Sequence, residues 1–418
     1  MSDIIDTNAT STPAVKVAAS VVEEPSYQHR RTFGQLLRSD LGFLPVLFTL
    51  VVIVIFFTIA SNGVFLNPEN FSNLIVQCVP LGIGAAGAVL VLLIGEIDLS
   101  SATVGVLCTV IMGILTERAH WSAGPALIIA LLSGLFLGTI NGLFVAVLRI
   151  PSFIVTLAAS IAYNGLLLFL LFGQTTQIIR DPFVLSIAGT ATSYLTNFWG
   201  IFLPVAAVLI YVGSLFYNYQ SRRRAGLRTI PMVRLIIQSA FTIVAVVGSV
   251  LLFESYYGVP YSTAILFGII LVLWLALTRT RWGRHLYSVG GNAEAARRAG
   301  INIVGIRIAI FALCSMLGGV GSIVLASHLG SVSSAIPAEL QLNIIAVAVI
   351  GGVSLFGGRG SIWAVVLGML IVQSLLNGLA LLNQTTDVQN MIEGLVLIAA
   401  VTADALIRRA QARSGSGR

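Results

Sequence analysis

The sequence predicts an all-α protein, a polytopic transmembrane helical bundle with duplicated, same-orientation halves and interrupted helices. Three observations predict it. Of the 418 residues, 57% are hydrophobic and only 9% are charged. A soluble domain carries roughly 25% charged residues, so this chain lacks the polar side chains to cover a water-exposed surface. Apolar stretches of about 20 residues recur along it, each spanning the ~30 Å of a bilayer core once helical. Finally, the arginines collect in alternate connectors between those stretches, an asymmetry that membrane insertion produces.

Taken in order, the expected spans are 41–60, 73–94, 99–115, 123–147, 151–172, 198–216, 235–253, 262–278, 306–326, 340–356, 361–382 and 390–407. The third and tenth are short and interrupted by small residues, so they are expected to break or to enter without crossing. Residues 1–40 read as a disordered cytoplasmic tail and its approach to the membrane, 41–407 as the transmembrane domain, and 408–418 as a second cytoplasmic tail. The first tail lacks the basic start, short apolar core and cleavage site of a signal peptide.

The basic residues test this layout. Lys16, Arg30, Arg31 and Arg38 precede the first span, and Arg222, Arg223, Arg224, Arg228 and Arg234 separate the sixth and seventh. Arg279, Arg281, Arg284, Arg297, Arg298 and Arg307 separate the eighth and ninth, while Arg408, Arg409, Arg413 and Arg418 follow the last. Alternating spans put these 19 of the 23 basic residues, with Arg149 and Arg359, on one side, which the positive-inside rule makes cytoplasmic. Arg118 and Arg180 fall opposite, each beside an acid, Glu117 or Asp181. The net charge of +7 thus reflects retention at the inner membrane face, reinforced by anionic lipid, and calls for no nucleic acid.

Many of the 41 glycines lie inside spans, where small residues let helices approach closely or break beside a conduit. Two charged, turn-forming junctions interrupt apolar runs: Gly95-Glu96-Ile97-Asp98-Leu99-Ser100 and Gly357-Gly358-Arg359-Gly360-Ser361. Each follows a glycine-rich span, and Asn141-Gly142 and Asn377-Gly378 lie downstream, so regions 73–172 and 340–407 read as two copies of one unit. Such repeats are common in transporters. Polar residues within the spans (Gln77, Asn141, Asn164, Gln174, Asn343, Gln373, Asn377 and Glu393) serve as interhelical partners or line a path for a polar, uncharged solute. Glu96 and Asp98 belong near the inner surface or in a helix break, since an acid at mid-bilayer costs about 2.5–3.5 kcal/mol. Asp98 is placed to cap the helix starting near Leu99.

Between the eighth and ninth spans, residues 289–302 read VGGNAEAARRAGIN. Asn292 is a helix cap, Glu294 sits in the first turn, Arg297 and Arg298 in the last, and Gly300 stops the helix. Two turns do not persist alone, so adjoining spans or a docked partner must hold them.

Catalytic patterns are missing from the sequence. The only lysine is Lys16, so no phosphate-binding loop exists. His29, His120, His285 and His328 are isolated, and Cys78, Cys108 and Cys314 each lie in a span, so neither a metal site nor a disulfide framework is expected. The chain reads as a non-enzyme.

The stretches Gly95–Ser100 (GEIDLS), Asn141–Leu157 (NGLFVAVLRIPSFIVTL), Gly290–Asn302 (GGNAEAARRAGIN) and Ile350–Ser361 (IGGVSLFGGRGS) together resemble the permease of bacterial sugar ABC importers in the ribose, xylose and arabinose branch. The longer middle region, with a span around 235–253, is most similar to the xylose subgroup. The resemblance implies a permease dimer, a cytoplasmic ATPase with two nucleotide-binding halves that uses ATP and magnesium, and an extracytoplasmic sugar-binding protein. It implies coupling to the ATPase through Gly290, Gly291, Asn292, Glu294, Arg297 and Arg298, within a coupling region 279–305. It also implies alternating-access import of a monosaccharide, xylose or another pentose, past a path or gate drawn from Gln77, Glu96, Asp98, Asn141, Asn164, Gln174, Asn343 and Asn377. Two positions depart from the family pattern: Glu96 stands where a second glycine is usual, and Leu342-Asn343-Ile344 where Leu-Asp-Ala is usual. An ion-coupled secondary carrier and a membrane scaffold are the competing readings. The sequence has no stacked series of ionisable groups to relay protons or sodium.

Overall fold

The computed structural model of the chain describes residues 44–189, 193–195, 197–226, 232–334 and 338–415. The expected N-terminal tail, with Lys16, Arg30, Arg31 and Arg38, lies outside the described residues, as do Arg228 and Arg418.

The first half begins with α1 (Leu44–Ala60) and α2 (Pro68–Leu93). The Asn67 side chain accepts from the Glu69 amide, and Pro68, with no N–H to satisfy, occupies the first turn. α2 ends at the charged junction and α3 (Ser101–Gly113) follows, drawn out by a π-turn through Arg118. Next come α4 (Ala123–Ala146), α5 (Ser152–Leu170), the strand β1 (Thr176–Ile178) and the single turn α6 (Pro182–Leu185). The middle comprises α7 (Asn197–Arg224), α8 (Met232–Glu254), α9 (Tyr261–Arg279) and two surface helices, α10 (Arg281–Gly291) and α11 (Ala293–Arg298). The chain re-enters as α12 (Ile303–Leu329), then β2 (Ser331–Ser333), α13 (Ala338–Ile350), α14 (Ala364–Leu381) and α15 (Thr386–Gly415).

Eight of the helices are long and apolar enough to cross a membrane, three shorter apolar ones match the first, seventh and tenth expected spans, and the start of α15 matches the twelfth. α13 has 13 residues. At 1.5 Å per residue it rises about 20 Å, short of the hydrocarbon thickness, as its interrupted sequence predicts. One boundary is corrected. Residues 411–415, expected to be unstructured, continue α15, because no Pro or Gly interrupts the run from Leu395 to Ser414.

Loops from distant parts of the chain meet in two separate groups. At the arginine-rich end, the Gly358 amide donates to the Leu93 carbonyl (2.9 Å) and the Ile97 amide to Ser152 Oγ (3.1 Å). At the other end, β1 pairs antiparallel with β2, and the Leu195 amide donates to the Val259 carbonyl (2.8 Å). Each contact joins connectors that alternating spans put on one side, so packing and arginine distribution agree. The duplication is visible in the same frame. α2, its junction and α3 correspond to α13, its junction and α14, and both junctions lie at the arginine-rich end. The two Asn-Gly pairs are not equivalent positions of that repeat. Asn141 bonds Ser100 at the arginine-rich end, whereas Asn377 bonds Asn70 at the opposite one, because the extra α3–α4 connection reverses the first copy's direction.

α2 and α12 form the centre. Glycine permits their approach, since a methyl group on Gly87 would stand 3.1 Å from Cys314 Cα, and it brings α4 equally close to α12, where one on Gly142 would stand 2.7 Å from Ile308 Cα. In lipid, where no hydrophobic effect pulls helices together, such close van der Waals packing is the main attraction. By contrast α1, α7 and α8 turn large apolar side chains outward; Phe48, Ile59, Ile210 and Val244 are each at least 70% exposed. An apolar belt of this extent is stable only against hydrocarbon.

The packing predicts unequal glycine tolerance. A side chain at Gly138 on α4 would collide with the Phe311 carbonyl of α12, whereas nothing lies within 4 Å of a methyl on Gly165. Gly138→Val is expected to lower stability by about 1–3 kcal/mol or to prevent assembly, and Gly165→Ala to leave it near wild type. Thermal unfolding of the two variants in detergent checks this.

Candidate translocation and coupling site

The junction after α2 is a helix break held by side chains. Thr156 Oγ1 accepts from the Leu99 amide (3.0 Å), while Ser152 Oγ takes the Ile97 amide one helical turn away. From the second half, Gln341 on α13 donates to the Asp98 carbonyl (2.9 Å) and accepts from the Ala102 amide (2.7 Å). Gln341 therefore caps α3. Asp98, expected to be the cap, instead accepts from the Ser100 amide (2.8 Å) and hydroxyl (2.6 Å). It lies two residues before Ser100, the residue in the N-cap position, so its carboxylate meets Ser100 and leaves the Ala102 amide to Gln341.

Asp98 is 4% exposed, and its Oδ2 has no hydrogen-bond partner. Polar groups continue from it as a chain. The Asn141 amide donates to Ser100 Oγ (2.9 Å), and Tyr163 Oη donates to Asn141 Oδ1 (2.9 Å). α3, α4, α5 and α13 are thus joined through one network, buried at Asp98, Ser100 and Asn141 and partly buried at Tyr163 and Gln341, whose members hold each other in place.

Glu96 points to a different partner. Its carboxylate pairs with Arg307 on α12 at 2.9 Å, with the two side chains 16% and 25% exposed. The pair tethers the junction to the N-terminal end of α12.

Three glycine-bearing segments converge beside it. A methyl on Gly95 would stand 3.3 Å from the Phe356 carbonyl, and one on Gly290 would overlap the Leu93 carbonyl and lie 2.7 Å from the Gly358 amide. Gly95, Gly357 and Gly358 also have positive φ, which an L side chain adopts only with strain. α10 therefore rests on both junctions. From it hangs α11, built as its spacing predicts: Asn292 Oδ1 accepts from the Ala295 amide (2.9 Å), and Glu294 pairs with Arg297 (2.7 Å) and Arg298 (3.3 Å). The hydrogen bond from Arg297 holds the Glu294 carboxyl below its ordinary range. All three charged side chains are more than half exposed.

The remaining sequence candidates are scattered. Gln77 accepts from Gln373 (2.9 Å) between α2 and α14, and Asn377 exchanges hydrogen bonds with Asn70. Asn343 lies beside the Glu393 carboxyl. Asn164 is exposed on α5, and exposed Gln174 accepts from Arg118 in a loop. Of the eight path candidates, only Asp98 and Asn141 join the buried network, with Glu96 next to it. Gln341, Ser152, Thr156 and Tyr163 were missed. Ser152 and Thr156 carried a legible signal, two hydroxyls one turn apart beside Pro151. Gln341 carried none, since its partner is 239 residues away.

A polytopic bundle with a broken, internally satisfied helix over a surface-helix platform defines a transport permease rather than a catalytic domain. Residues 70–401 match the family described as the permease component of branched-chain amino acid transport systems. The xylose transport system permease protein of Escherichia coli K12 is 33% identical over 377 residues, covering 90% of this chain and 95% of that protein. The corresponding protein of Haemophilus influenzae is 36% identical over 369 residues (86% and 95%), and the fructose import permease protein of Rhizobium meliloti 30% over 417 (97% and 99%). No solved structure matches the chain. The chain belongs to this permease family, in its branch of bacterial ABC-type sugar-transport permeases.

The Glu96–Arg307 tether makes a direct prediction. Glu96→Gln and Arg307→Gln should each destabilise the detergent-purified protein, and the double variant by less than their sum, with a coupling of about 1 kcal/mol. A thermal-unfolding cycle over the four proteins measures it.

Proposed function

We propose that this chain forms the translocation path for a monosaccharide, xylose or another pentose, as one of two identical permease subunits. Similarity to xylose permeases over most of both chains supports a pentose cargo. Under this reading a sugar-binding protein delivers cargo at the end carrying β1 and β2. An ATPase with two nucleotide-binding halves, using ATP and magnesium, docks at the arginine-rich end, which the positive-inside rule makes cytoplasmic along with both termini.

The observation that carries the proposal is the convergence of Leu93–Gly95, Gly290–Gly291 and Phe356–Gly358. Exposed α11, with Asn292, Glu294, Arg297 and Arg298, is the surface the ATPase grips. Gly290 and Gly291 connect that grip to the ends of α2 and α13 through backbone contacts that leave no side chain to yield. A shift of α11 on ATP binding is then transmitted to both helix breaks at once. Glu96 and Arg307 act as an inner latch, while Asp98, Ser100, Asn141 and Gln341 preserve the break as α3 and α13 move. Family membership argues against the ion-coupled carrier.

Reconstitution with a sugar-binding protein and a double ATPase of this importer class, followed by a screen of pentoses and hexoses, tests the reading. ATP-dependent uptake of a pentose is expected, and uptake driven by an ion gradient without the ATPase would overturn it. Replacing Arg297 and Arg298 with alanine is expected to weaken recovery of the ATPase about tenfold or more, as loss of two charge-assisted contacts would, with membrane insertion unchanged. Equal recovery on both proteins would remove α11 from the coupling surface.

A further inference from the structure

A cavity of about 330 Å3 opens at the arginine-rich end between α4 and α12, apart from the buried network. Its polar lining is Glu96, Arg149, Arg297 and Arg307, three guanidiniums against one carboxylate. Glu96 is already engaged by Arg307 Nη2, and Arg297 by Glu294. Arg149 has no ion pair among the described residues, and Arg307 Nε is buried without a hydrogen-bond partner. The pocket therefore holds unspent positive charge and an unsatisfied donor. Ile303 and Val304, in the first turn of α12, line it as well, adding the positive end of that helix's dipole.

The surroundings decide what kind of anion fits. Val145 and Ala146 form part of the wall, while Leu143, Val147 and Leu148 nearby on the chain and Val304 across the opening are 42–60% exposed apolar side chains. They give the opening an apolar lip beside its cationic lining, the pairing met where lipid headgroups pass into acyl chains. A free anion would use only the guanidiniums, and an acidic protein side chain would leave the apolar lip unused. An amphiphile with an anionic head satisfies both.

We propose that this pocket binds the phosphate of an anionic phospholipid headgroup, with its acyl chains against α4 and α12. Arg149 supplies the unpaired charge and Arg307 Nε a second donor, leaving the bond to Glu96 intact, because a guanidinium presents five N–H groups in a fixed fork. Basic pockets between spans on the cytoplasmic side are suited to such headgroups. The site would tie the lipid composition of the inner leaflet to the residue that latches the junction.

The test is native mass spectrometry of the delipidated full-length permease, titrated with phosphatidylglycerol, phosphatidylcholine or inorganic phosphate. The wild type is expected to retain phosphatidylglycerol over phosphatidylcholine, with about tenfold weaker retention in Arg149→Gln, the scale of one lost charge-assisted hydrogen bond. Arg149→Lys is expected to keep most of the binding, and Arg284→Gln, an exposed arginine on α10 outside the pocket, all of it. Unchanged phosphatidylglycerol retention in Arg149→Gln would overturn the proposal. So would displacement of the lipid by millimolar phosphate, which indicates a free-anion site, or a loss confined to ATPase recovery, which indicates a protein contact.

Discussion

A helix that stops inside a membrane protein leaves amides and carbonyls with no partner, and hydrocarbon offers none. The break between α2 and α3 is held within this constraint by side chains from two other helices. Ser152 and Thr156 of α5 take the Ile97 and Leu99 amides, and Gln341 of α13 bonds both the Asp98 carbonyl and the Ala102 amide. Gly358 completes the set by donating to the Leu93 carbonyl. The break is consequently a joint between the two halves of the molecule. Moving α13 changes the support of α3, and moving the Gly357–Gly360 junction changes the end of α2.

Glycine makes that joint possible. Leu93, Gly290 and Gly358 come together at backbone distance, closer than any side chain permits. The same small-residue packing fixes α12 against α2 and α4 throughout its length. Packing at this density transmits displacement instead of absorbing it, which suits a protein that must relay motion from a surface helix to its interior. The Glu96–Arg307 pair adds a charged tether between the junction and the N-terminal end of α12.

The surface divides by chemistry. α1, α7 and α8 present exposed apolar faces, α11 presents exposed charge, and the arginine-lined pocket lies between α4 and α12, beside the exposed apolar Val147, Leu148 and Val304. Removing Glu96 would affect two of these features together, freeing Arg307 and making the pocket more positive.

Much was legible without the fold. Span positions follow from local apolarity over about 20 residues, and the grouping of the arginine-bearing connectors at one end follows from their alternation along the chain, because both are set segment by segment. The α11 helix was equally legible: Asn292, Glu294, Arg297 and Gly300 each interact over three or four positions, within reach of local rules. Asp98 and Asn141 could be nominated as buried polar residues, but not connected to one another. Their connection through Ser100, the capping of α3 by Gln341, the pairing of Glu96 with Arg307 and the nesting of Gly290 on Leu93 all join residues tens to hundreds of positions apart. So does the demotion of Asn164 and Gln174 to the exterior. Sequence determined which segments are long and apolar enough to cross the membrane, since that depends on composition alone. Tertiary structure decided which polar groups meet inside it, since that depends on how helices of similar apolarity rotate and pack against one another.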